Sequence, residues 1–134
     1  MKRKSRNFRC RRGAATVEFA VCLPVVVLIV FGSIEAASML FLRQTMIQSS
    51  YEAAKVAILA EGTTQDALAA GLAVADGRNL EDVQITFDPT NIESVPPGDL
   101  ITITASAPGD SNSLIPFGPF QNRTVSASAV MVKE

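Results

Sequence analysis

Hydrophobic positions in this chain change their spacing twice, and the changes divide it into three parts. From Phe19 to Leu42 the residues are almost all apolar, with no polar face to interrupt them; Val25 to Phe31 is apolar without a break. A globular helix would alternate wet and dry faces, so this stretch reads as a helix buried on every side. Its 24 residues would extend about 36 Å, enough to cross a hydrocarbon layer of about 30 Å with some tilt. Glu35 is the one charged side chain within it. Pro24 removes one backbone bond near the beginning of the run.

Beyond Arg43 the period becomes helical and amphipathic. Ile47, Tyr51, Ala54 and Ile58 recur at offsets of four, seven and eleven, a stripe expected to form one wall of the outer domain's own core, with a partner groove as the alternative. Gly62 is the expected stop. Thr63-Thr64 caps a second helix, running through Val74 and ending at Asp76-Gly77.

Alternation then replaces the helical period. Val83, Ile85 and Phe87 mark a first strand, Leu100 to Ala105 a second and Thr124 to Val132 a third, with Asp88-Pro89 and Pro96-Pro97-Gly98 in the first connection. The expected fold is α+β: a long N-terminal membrane-spanning helix continuing into a small domain with a second helix and a three-stranded antiparallel sheet. Its parts would be a basic leader over 1–13, a transmembrane helix over 14–42 and an extracytoplasmic domain over 43–134.

Charge sharpens this division. Residues 1–17 hold seven basic groups and no acid, whereas residues 43–134 hold five basic and eleven acidic groups, a net of −6. A basic end, an apolar run and an acidic remainder describe a single-pass protein in the cytoplasmic membrane with its N-terminus in the cytoplasm. The basic tail adjoins the apolar run, which favours topology over a nucleic-acid arm. Cys10 and Cys22 lie in the tail and the run, so they build no disulfide framework for the outer domain.

Catalysis has little to work with. The chain has no histidine, the commonest general base and a leading metal ligand. Acids at Glu81-Asp82, Asp88 and Asp99 lie beside turns without the ordered spacing of a calcium loop. No enzyme activity, cofactor or metal is expected. The apolar, proline-rich loop containing Phe117 and Phe120 could cover the core or offer an adhesive or subunit contact.

The most informative segment is Arg11-Arg12-Gly13-Ala14-Ala15-Thr16-Val17-Glu18-Phe19. A carboxylate at the head of an apolar run is costly and calls for a partner. The order of residues resembles a class III signal of type IV pilin-like proteins: a basic leader, a glycine, and a glutamate at the fifth mature position. With Leu23-Pro24, Phe31-Gly32-Ser33-Ile34-Glu35 and the small-residue helix Ser50 to Lys55, residues 11–61 resemble the TadE-like family of pseudopilins in tight-adherence (Flp, type IVb-like) pilus systems.

That resemblance implies cutting by a prepilin peptidase between Gly13 and Ala14, with Arg11 and Arg12 holding the leader at the cytoplasmic face. Glu18 would guide docking onto other pilins, pseudopilins or pilus assembly proteins of a bacterial envelope, by meeting the new amine of a packed neighbour. Otherwise Glu18 would sit among headgroups beside Arg11 or Arg12. Glu35, about 25 Å further along, would snorkel into the outer headgroups or contact a partner. An uncleaved, membrane-anchored envelope protein with an extracytoplasmic binding domain is the alternative function.

Overall fold

The computed structural model describes residues 10–114 and 122–134, the first three of them by backbone alone. The elements are α1 (Cys10–Ala57), α2 (Thr64–Asp76), β1 (Gln84–Asp88), a 3-10 turn (Ile92–Ser94), β2 (Leu100–Pro108), a single helical turn α3 (Gly109–Asn112) and β3 (Thr124–Val132). The fold is α+β, with a long N-terminal apolar helix, a second helix and a three-stranded antiparallel sheet. Two compact units divide between Ile34 and Glu35.

The first unit is the apolar part of α1. Its large side chains, from Val17 and Phe19 through Leu28 and Ile29 to Ile34, are all exposed. The Ser33 hydroxyl is turned back on the helix itself, donating to the Ile29 carbonyl at 2.7 Å, so it asks nothing of its surroundings.

The second unit starts from the sheet. Its strands lie in the order β1-β2-β3, and every pairing is antiparallel. Strict alternation along β2 sends Ile101, Ile103, Ala105 and Ala107 to the buried face, while Thr104 turns outward to share a hydrogen bond with Ser128 across the β3 register at 2.9 Å. Side-chain size alternates between layers. Ile101 and Ile103 cluster with Ala53, Ala54 and Ala57 of α1; Ala105 and Ala107 cluster with Leu42 and Met46 of the same helix. Where the sheet is bulky the helix is slim, and the reverse holds a few turns away, which lets both layers close without voids.

Helix α2 crosses α1 at a point where no side chain fits. A Cβ on Gly71 would lie 2.5 Å from Ile85 Cδ1 and 3.0 Å from both Ala53 Cβ and the Ser49 carbonyl oxygen. The Ser49 hydroxyl uses that closeness to donate to the Gly71 carbonyl at 2.7 Å. Thr63 caps α2 by accepting from the Asp66 amide, in agreement with the cap expected from sequence.

Helix α1 ends at Ala57 rather than running to Gly62. The Lys133 ammonium donates to the carbonyls of Ala57 and Leu59, at 2.9 Å each, and the Glu134 amide to that of Ile58 at 3.0 Å. Those bonds satisfy the helix's last acceptors and place a cation at the negative end of its dipole. Gly62 completes the turn folded back on the helix end, where a Cβ would stand 2.1 Å from the Val56 carbonyl oxygen.

The stripe expected to line the core is corrected. Ala54 is buried, but Ile47 and Tyr51 are 50% and 51% exposed. The buried face is instead Leu42, Thr45, Met46, Ser49, Ser50 and Ala53. Close approach of α2 demands small side chains there, and that requirement outranks hydrophobicity. The second strand is longer than expected, reaching Pro108, and the loop after it contains α3.

Candidate functional site

The proposed processing and docking residues lie in the first unit. Gly13 and Ala14 are inside the opening of α1, exposed, and a Cβ on Gly13 would meet nothing within 4 Å. Glu18 is exposed and lies four residues after Ala14, hence one turn further along the same face. Nothing in the unit buries it. Arg11 and Arg12 belong to the backbone of α1, and their side chains lie outside the described residues.

The start of α1 is weakly built. It has no acidic residue in its first turn, two arginines follow at the positive end of its dipole, and Gly13 costs about 1 kcal/mol relative to alanine inside a helix.

Glu35 is buried, 2% exposed, and its Oε1 accepts a hydrogen bond from the Ser113 hydroxyl at 2.5 Å. Its Oε2 is buried without a hydrogen-bond partner among the described residues. The contact spans 78 positions, so no local pattern could have foretold it. Phe117 and Phe120, the other proposed contact residues, lie outside the described residues.

The opposite face of α1 in the second unit carries Ile47 and Tyr51 in the open. The Lys55 ammonium stands 6.0 Å from the Tyr51 ring and binds Glu52 at 3.0 Å; that hydrogen bond, with the attraction of the Glu52 charge, raises the lysine pKa. Arg78, from the turn after α2, lies 4.9 Å from the Phe41 ring and donates to Thr45 Oγ1 at 3.0 Å and to Gln48 Oε1. It is a structural strut between the turn and α1, which sequence reading did not single out.

A second feature missed in the sequence is a groove of about 610 Å³ lined by Ala36, Met39, Leu40 and Arg43 of α1 and by Arg123 to Ser126 at the start of β3. Its arginines are 80 positions apart in the chain, and only the fold brings them to one groove.

An unburied apolar helix of this length, joined to a water-compatible α+β unit, suggests a membrane-anchored protein with a single N-terminal apolar helix. Within that class, the family model described as TadE-like protein matches residues 13–55. The match opens on Gly13, takes in the whole apolar stretch and ends at Lys55 in the last turn of α1. No curated protein and no solved structure matches the chain.

Proposed function

We propose that this protein is a minor pseudopilin of a tight-adherence pilus system, matured by a prepilin peptidase and assembled through its apolar helix. The observation that carries the reading is Glu18: the lone charged residue between Gly13 and Ile34, exposed on a helix whose large side chains are all unburied, one turn from Ala14. The TadE-like match over the same residues supports it.

In this reading the peptidase hydrolyses the Gly13–Ala14 amide, leaving a carboxylate on the leader and an ammonium on Ala14. The weak opening turn lets the scissile bond become extended for attack. The basic leader keeps that bond at the cytoplasmic surface, and the unit from Glu35 onward is extracytoplasmic.

The new ammonium then meets Glu18 of an adjoining copy or another pilin. At about 4 Å and an effective dielectric of 20, the attraction is on the order of 4 kcal/mol before desolvation is subtracted. Such a pair sets the axial register of packed helices more than it adds to their stability. The outer unit is presented to other pilus subunits and performs no catalysis.

Mass spectrometry of the mature N-terminus tests the proposal. A start at Ala14 is expected, and an intact leader in cells that carry the peptidase and assemble pili would overturn it in favour of an uncleaved envelope anchor. With Glu18→Ala, cleavage should continue while incorporation into assemblies falls; unchanged pilus output would remove the docking role.

A further inference from the structure

We propose that the groove between α1 and the start of β3 binds one anionic phospholipid, with the phosphate held by Arg43 and Arg123 and an acyl chain laid along Met39 and Leu40. Positions 36, 39, 40 and 43 recur at helical spacing and present one face of α1 to the groove. The other wall is the beginning of β3, an outer strand of the sheet that pairs with β2 alone among the strands. About 610 Å³ lies between them, within the range of about 300–1,000 Å³ typical of small-ligand sites.

The lining joins two chemistries. Leu40 is 62% exposed, and Met39, Ala36 and Val125 continue the apolar surface. Arg43 and Arg123 add two guanidiniums, groups whose planar forks match phosphate oxygens. No described carboxylate forms an ion pair with Arg43. The groove thus joins an apolar surface to two guanidiniums, which calls for a ligand with an apolar and an anionic part. A phospholipid satisfies both.

Position selects a lipid over an acidic peptide. Ala36 comes two residues after Ile34, where the unburied apolar stretch closes, and the nine residues from Ile34 to Arg43 add about 14 Å of helix. Side chains on a helix lean toward its N-terminus, which from Arg43 is the direction of that stretch. The proposal rests on the membrane reading given above and adds to it a defined lipid contact.

Native mass spectrometry of the full-length protein in mild nonionic detergent tests it, with dioleoylphosphatidylglycerol and dioleoylphosphatidylcholine supplied in equal amounts. The expected result is one retained lipid, with phosphatidylglycerol preferred. Arg43→Gln and Arg123→Gln should each lower that preference by about fivefold, from about 1 kcal/mol per basic group near anionic lipid. Leu40→Gln should weaken retention of both lipids. Lys55→Gln, an equal change of charge outside the groove, should change nothing; a loss there as large as at Arg43 would overturn the site.

Equal retention of the two lipids would also overturn it. Displacement of the lipid by millimolar inorganic phosphate would assign the arginines to a free anion instead. A co-purifying protein lost on Arg43→Gln, with lipid retention intact, would assign the groove to an acidic partner. Extraction of the protein from membranes by carbonate would sink the membrane reading itself, whereas a membrane-retained protein without lipid preference would remove only the groove proposal.

Discussion

The two parts of α1 obey opposite rules. Before Glu35, the helix carries large aliphatic side chains on every side, and all are exposed. After it, one face of the helix is buried against its neighbours, and that face mixes Leu42 and Met46 with Thr45, Ser49, Ser50 and Ala53. In the first part side-chain chemistry must match a medium. In the second, side-chain shape must match a neighbour. Hydrophobicity alone therefore does not identify burial along α1: Leu28 and Ile29 lie open, while Thr45, Ser49 and Ser50 are hidden.

That contrast can be broken from either side. The largest effect is expected from Leu28→Arg, which places a charge in the middle of the apolar stretch and costs about 2.5–3.5 kcal/mol of insertion. Membrane partition in a flotation assay should collapse, while the thermal unfolding of the second unit stays where it was. A shifted melting transition would show that the two parts depend on each other.

Gly71→Leu is the reciprocal experiment. The new side chain meets the Ser49 carbonyl and Ala53 at the crossing of α1 and α2, and overpacking of this kind costs about 2–3 kcal/mol. Calorimetry or proteolysis should register a less stable outer unit, with flotation unaffected. A variant as stable as the parent would mean that the two helices separate easily and that small side chains are not what joins them.

Lys133→Met gives the smallest effect. It keeps an unbranched stem but removes the donor from the Ala57 and Leu59 carbonyls, a loss of about 1–2 kcal/mol at a helix C-terminus. Denaturant titration should show a lower midpoint with an unchanged slope. Hydrogen exchange should accelerate at residues 54–62 before it does in the sheet.

Much of this architecture could be read from the chain. Thr63 reads as a helix cap and is one, and the alternation from Thr124 to Val132 marks the third strand with its observed bounds, because both signals are local. The apolar run was legible for the same reason. The buried face of α1 was not. Ile47 and Tyr51 carry the strong hydrophobic signal, but the face that matters is selected by contact with Gly71, which is distant in sequence. Glu35 shows the same failure in sharper form, since its burial depends on Ser113. Within the candidate site, Gly13, Ala14 and Glu18 are singled out by spacing alone. The pairing of Arg43 with Arg123 at one groove depends on the placement of β3.

The reciprocal fit of bulky and slim side chains between α1 and β2 has a mechanical consequence. A smooth interface would let a rod shear along its wall under tension, one small step at a time. Here, lengthwise travel would drive Leu42 and Met46 out of the recesses over Ala105 and Ala107 and toward the isoleucine ridge at 101 and 103. Such a toothed joint resists lengthwise slip more than a smooth one would.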